Sequence, residues 1–144
     1  MIITKQGACG VIIVVKEEEY KFLILLQDEK FVNWSFPKGK AEGTEIPIDT
    51  AMRELKEETG ITEVEILNTP MLEEQYEYEK RGENFSRTNR YFIGIVKDKS
   101  VKLQEDEIID YKWATYDEAV NTFGFQKEKR IEILKKAKEY LDKI

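Results

Sequence analysis

Gly39-Lys-Ala-Glu-Gly-Thr-Glu45-Ile-Pro-Ile-Asp-Thr-Ala-Met-Arg53-Glu54-Leu55-Lys-Glu57-Glu58-Thr-Gly60-Ile61 is the stretch on which the reading of this chain turns. Pro47 sits where the first turn of a helix has no use for an N–H. Gly60 sits where a helix commonly stops in the left-handed conformation. Between them, at about 100° per residue, Ile48, Ala51, Met52, Leu55 and Thr59 share one arc, an apolar face for a core. Glu54, Glu57 and Glu58 share the adjoining arc. Side chains three and four apart are neighbours on a helix, so these carboxylates repel unless a positive charge lies among them. Two readings are open at this level: a solvated acidic face, or an oxygen cluster for a hard divalent cation.

The flanking sequence predicts a sheet around that helix. Val11 to Val15 are consecutive β-branched residues, and residues 8–15 read as a buried strand. A charged turn leads to Tyr-Lys-Phe-Leu-Ile-Leu-Leu-Gln, residues 20–27, the hairpin partner. Residues 28–33 read as a loop, and Trp34-Ser-Phe36 as a short extended piece. Residues 64–78 read as extended in two pieces broken near Thr69-Pro70. Residues 79–86, with Gly82, read as a polar turn, and 87–96 as a strand with Tyr91, Ile93 and Ile95 on one face. A strand over 108–114, a short helix over 116–122 and a longer helix over 126–141 complete the chain. In the last helix Ile131, Leu134, Ala137 and Leu141 form one stripe, with the basic residues of 127–143 on a solvated face. Strands before, between and after helices indicate an α/β domain with a mixed sheet covered by helices.

With 144 residues, the expectation is a single domain spanning 1–144 with its own core. Hydrophobic residues make up 41% and the net charge is −6, which argues against a general nucleic-acid binder and a stable nucleic-acid complex. One cysteine, Cys9, permits no internal disulfide and reads as strand packing; with no long apolar run at the N-terminus, a cytoplasmic protein without a membrane span is expected. There is no histidine. Any metal must therefore be held by oxygen, favouring Mg²⁺ or Mn²⁺. Proton transfer falls to carboxylates, lysine, tyrosine or metal-bound water.

The quoted stretch resembles the Nudix box, the signature of hydrolases that cleave nucleoside diphosphates linked to another moiety. Its pattern is G-x5-E-x7-R-E-U-x-E-E-x-G-U, with U a bulky aliphatic. Gly39, Glu45, Arg53, Glu54, Leu55, Glu57, Glu58, Gly60 and Ile61 fill every defined position. The resemblance implies an α/β/α sandwich with the box as loop–helix–loop. It implies that Glu54, Glu57 and Glu58 bind Mg²⁺ or Mn²⁺, helped by a backbone carbonyl near Lys38. Arg53 would orient the glutamates by ion pairing, and Glu45 would support the helix start. The proton of an attacking water would pass to Glu54 or Glu58. Family members often add an acid from a later loop; in Leu103-Gln-Glu105-Asp106-Glu107-Ile-Ile-Asp110 that acid is assigned to Glu107.

The flanks resemble one branch of that family, the asymmetrical diadenosine tetraphosphate hydrolases. Ala8-Cys9-Gly10-Val-Ile-Ile, Phe22-Leu-Ile-Leu-Leu-Gln27, Trp34-Ser-Phe-Pro37-Lys38-Gly39-Lys40 and Tyr111-Lys-Trp113 carry the likeness. It implies a dinucleoside polyphosphate substrate, split by water into ATP and AMP, and a monomer or homodimer. Lys38 and Lys40 are placed to neutralise phosphates. Tyr78, sharing a strand face with Tyr76, is assigned to stack on the base, Arg87 to contact phosphate, and Phe125 to close the other side of the base. Trp-x-Phe-Pro-x-Gly also resembles enzymes that remove pyrophosphate from RNA 5′ ends. Action on RNA ends or on damaged nucleoside triphosphates is thus the alternative, and a non-catalytic nucleotide-sensing module the rival from another class.

Overall fold

The computed structural model describes residues 1–27, 32–104, 106 and 108–144. The elements run β1 (Ile3–Lys16), β2 (Tyr20–Gln27), β3 (Trp34–Ser35), β4 (Lys38–Gly39), α1 (Pro47–Thr59), β5 (Glu65–Ile66), β6 (Leu72–Lys80), β7 (Glu83–Val96), β8 (Ile108–Ala114), α2 (Tyr116–Thr122) and α3 (Lys127–Leu141). The strands form one mixed sheet in which β3, β2, β1, β7 and β5 lie side by side, β4 also pairs with β1, β6 with β7 and β8 with β2. The parallel pair is β1 with β7, in unbroken register from Ile3 opposite Asn84 to Val15 opposite Val96.

The β-branched run of β1 is buried on both sides because the sheet has helices on both faces. Ile12, Val14, Phe22 and Ile24 face α2 and α3, meeting Ala119, Leu134, Ala137 and Leu141. Val11, Ile13, Leu23 and Leu25 face α1, meeting Ala51 and Leu55. The expected α/β/α sandwich is the observed one. α1 starts with Pro47 in its first turn and ends at Gly60, whose φ of 76° is left-handed and whose N–H bonds the Lys56 carbonyl. α2 starts with a capping box between Thr115 and Glu118.

Three expectations are corrected. The polar turn over 79–86 is a tight hairpin: β6 runs to Lys80 and β7 starts at Glu83. Arg81 and Gly82 have φ of 52° and 78°, the signs a two-residue loop needs to match strand twist. β1 begins at Ile3 rather than Ala8, since its first residues pair with the N-terminal part of β7. The basic residues of α3 do not all face water: Arg130 is 0% exposed, on the same face as Leu134 and Ala137. Ile133, rather than the half-buried Ile131, completes that face.

Candidate active site

The short strand β4 presents the box to the sheet. Its residues pair with β1, Gly39 opposite Cys9 and Lys38 opposite Gly10. This pairing brings the backbone of β4 against α1. The Lys38 N–H donates to Glu58 Oε1 at 3.0 Å, and the Glu58 side chain is almost wholly buried. Gly39 lies directly under Glu54: a Cβ built there would sit 2.0 Å from Glu54 Cδ. Glycine is therefore the residue that lets the carboxylate lie on the backbone.

Arg53 gathers the remaining acids of the helix. Its Nε donates to Glu45 Oε2 at 2.8 Å and its Nη2 to Glu45 Oε1 at 3.0 Å, a bidentate fork. Nη1 donates to Glu54 Oε1 at 3.0 Å and Glu57 Oε2 at 3.1 Å, and Nη2 also reaches the Lys40 carbonyl at 2.8 Å. Glu45 in turn accepts from the Glu42 N–H and the Thr50 hydroxyl. The Arg53 hydrogen bonds, followed by that from Glu42, hold the Glu45 carboxyl down to a pKa of about 2. One guanidinium thus links the loop before α1 to the helix.

Above this cluster opens a cavity of about 330 Å³. Glu54, Glu58 and Gly39 line it together with the cations Lys38, Lys40, Lys80 and Arg87; Tyr76, Tyr78 and Phe125 form an aromatic wall. Lys38 Nζ donates to Ser35 Oγ at 3.1 Å. Burial, and then the cations of Arg130 and Arg87, pull its pKa down to about 8, with Glu58 and Glu74 opposing. The Tyr78 ring stacks on Phe85 with centroids 5.1 Å apart, and its hydroxyl donates to Gln6 Oε1. Phe125 stands edge-on to both tyrosines, 5.5 Å from Tyr76 and 6.3 Å from Tyr78. Carboxylates, cations and a ring wall on one cavity suit a ligand made of a base, a phosphate chain and a bridging cation.

A family model described as the NUDIX domain matches residues 6–136. The chain belongs to the NUDIX family. It is similar to the rat (Rattus norvegicus) asymmetrical bis(5′-nucleosyl)-tetraphosphatase, 30% identical over 130 residues, which cover 85% of this chain and 87% of the relative. It is also similar to an RNA pyrophosphohydrolase of a Sulfurovum strain, 31% identical over 121 residues, which cover 78% and 77%. Among solved structures, the binary complex of the Caenorhabditis elegans Ap4A hydrolase superposes with a TM-score of 0.77 at 25% identity, covering 96% of this chain and 99% of that one. As a NUDIX pyrophosphohydrolase, the protein is an enzyme acting on phosphoanhydride bonds.

In this NUDIX hydrolase, Lys38, Lys40, Glu54, Glu58, Tyr78, Arg87 and Phe125 come together on one cavity. Glu57 is not one of the residues lining it; it pairs with Arg53, its side chain about half exposed. Glu107 lies outside the described residues. Among the described residues no three acidic side chains are placed to hold a metal ion together; Arg53 occupies Glu57 and one oxygen of Glu54. Two cavity residues escape the sequence motifs, Asn33 after the loop that follows β2 and Lys80 at the hairpin, and Gln27 ends a quoted motif without a site role assigned to it. Behind the wall, Arg130 bonds the Phe125 carbonyl at 2.6 Å and Asn33 Oδ1, and its guanidinium lies 5.5 Å from the Phe125 ring centroid. Its signal was spacing: Arg130 lies four and seven residues before Leu134 and Ala137, on the buried stripe. No helix among the described residues is long and apolar enough to cross a membrane.

Proposed function

We propose that this NUDIX hydrolase, as a single domain, hydrolyses a dinucleoside polyphosphate, with diadenosine tetraphosphate as the best fit, giving ATP and AMP. The observation that carries this reading is the make-up of the cavity: carboxylates, four cations and an aromatic wall between hairpin and α3. A phosphate chain suits the charged residues and a base the rings, and the rat tetraphosphatase relative supports the dinucleotide.

The donor set fits a hard cation: it is all carboxylate, in a chain without histidine, and Gly39 cradles Glu54 where a Cβ would collide. Mg²⁺ or Mn²⁺ would be held by Glu54 and Glu58, with Glu57 and Glu107 as further ligands and the backbone at Lys38 alongside. Bound there, the ion supplies Lewis acidity at the phosphates. The protein's own groups do the rest. Glu54 or Glu58 accepts the proton of the attacking water. Lys38, still mostly protonated at neutral pH, shares the phosphate charge with Arg87 and Lys40. Tyr78 and Phe125 hold the base, and Arg53 keeps α1 and its loop in register.

The test is a product analysis in ¹⁸O-labelled water with Mg²⁺. ATP plus AMP, with label on one product, is the expected result. The RNA pyrophosphohydrolase relative supports a second reading, action on RNA 5′-triphosphate ends. Turnover of those ends, or of simple nucleoside triphosphates, with none of the dinucleotide would keep the chemistry and overturn this substrate. Binding without turnover of any of them would favour a sensing module.

A further inference from the structure

A buried polar ladder runs from the core to the cavity, and apart from Arg87 at its outer end it has no part in the reading above. Arg87, Asn89 and Tyr91 alternate along β7 and so share one face. They lie opposite Tyr76, Glu74 and Leu72 of β6. Arg87 Nε donates to Asn89 Oδ1 at 3.0 Å. Asn89 Nδ2 donates to Glu74 Oε1 at 3.0 Å, and the Tyr91 hydroxyl donates to the same oxygen at 3.1 Å. Asn89 and Tyr91 are 0% exposed and Glu74 is 3% exposed. The second Glu74 oxygen, Oε2, is buried and has no hydrogen-bond partner among the described residues. A buried carboxyl with one oxygen unsatisfied carries a desolvation cost that its two accepted hydrogen bonds only partly offset. Its presence calls for a role other than stability.

The polarity of the ladder supplies one. Glu74 Oε1 is an acceptor already facing two donors, so it turns the Asn89 amide with its NH₂ inward and its oxygen outward. That oxygen then takes Arg87 Nε. With Nε occupied, the terminal Nη fork of Arg87, which pairs with no carboxylate among the described residues, stays on the cavity it lines. A guanidinium fork held in one direction loses less freedom on binding a phosphate than a free one. We infer that Glu74 is a positioning residue: through Asn89 it aims the Arg87 guanidinium at the phosphate chain of the substrate. The inference rests on Arg87 being a phosphate contact, as proposed above.

The experiment compares KM, kcat and melting temperature for Arg87→Ala, Asn89→Ala, Glu74→Met, Glu74→Gln and the double variant Glu74→Met/Arg87→Ala, on the substrate the product analysis identifies. Arg87→Ala is expected to raise KM about tenfold, the scale of a hydrogen bond to a charged group. Glu74→Met and Asn89→Ala are expected to raise KM severalfold with kcat within about twofold, and Glu74→Met, which leaves two buried donors without their acceptor, to lower the melting temperature. The double variant is expected to be no worse than Arg87→Ala. Glu74→Gln, whose amide oxygen can accept from both donors, is expected to restore KM. Parental KM in Glu74→Met and Asn89→Ala, beside a weakened Arg87→Ala, overturns the positioning role and leaves Arg87 as a ligand. Additive losses in the double variant overturn it too. Parental KM in Arg87→Ala overturns the phosphate reading itself. Should Glu74→Met fail to fold, Asn89→Ala decides.

Discussion

Gly39 and Glu45 show how much of the site depends on residues that hold other side chains in place. Under Glu54, any Cβ at position 39 would lie 2.3 and 2.4 Å from the carboxylate oxygens as well as against Cδ. Gly39→Ala is therefore expected to displace Glu54 and reduce kcat/KM by about 10²-fold, the penalty of a misplacement of roughly 1 Å. Because the displaced atoms end a flexible side chain, the melting temperature should change little. Steady-state kinetics beside a thermal melt checks both halves. Glu45 makes a prediction about pH. Its carboxyl is lowered from an ordinary value of 4.5 to about 2 by Arg53 and the Glu42 N–H. An acid depressed by folding adds stability that is fully present above pH 4.5 and is lost as pH falls towards 2. Urea unfolding of the parent and of Glu45→Gln should show the two curves converging across that window. Parallel curves from pH 5 to pH 2 would remove the ion pair from the stability of the fold.

Among the elements, α3 joins core to cavity. Leu134 is fully buried against the sheet face that carries Ile12, Phe22 and Tyr91. Leu134→Ala is expected to destabilise the protein by about 2–5 kcal/mol in chemical denaturation. One turn earlier on the same face, Arg130 braces Phe125 and Asn33. The elements differ in how plainly the sequence announced them. α1 was legible because its start, stop, apolar arc and acidic arc agree with one another. β1 and β2 were legible because consecutive β-branched and aliphatic residues leave little else to form. The β6–β7 hairpin was not, since Lys80-Arg81-Gly82-Glu83 lacks the usual Asn-Gly signal and its charges read as a loop. Glu74 and Arg130 were hidden for a related reason. A charged side chain on a buried stripe is recognised only when its partners are known, and those partners lie on other elements.

At the scale of the whole molecule, a chain of net charge −6 gathers four cationic side chains and two carboxylates around one cavity. Glu54, Glu58, Lys38 and Lys40 are held at the β4–α1 junction, and Lys80 and Arg87 come from the hairpin and β7, so the sheet brings the two groups to one cavity. Removing divalent cations with a chelator is expected to abolish hydrolysis, and Mg²⁺ or Mn²⁺ to restore it. Saturating the same ion at about 100 times its Kd should add about 2.7 kcal/mol to unfolding. A melting temperature that ignores both ions, with activity intact after chelation, would remove the metal from the proposal.

The parallel pairing of β1 with β7 also sets an order of events during synthesis. Residues 3–15 take partners at 84–96, and the chain between them must be made first. At about 5–20 residues per second, that interval is on the order of 4–16 s. Over those seconds the aliphatic run of β1 has the β2 hairpin, β4 and α1 for company, but nothing along its other edge. The centre of the sheet cannot close until β7 has been made. Until then that edge is an open row of N–H and C=O groups, the kind of template on which a neighbouring chain adds a strand.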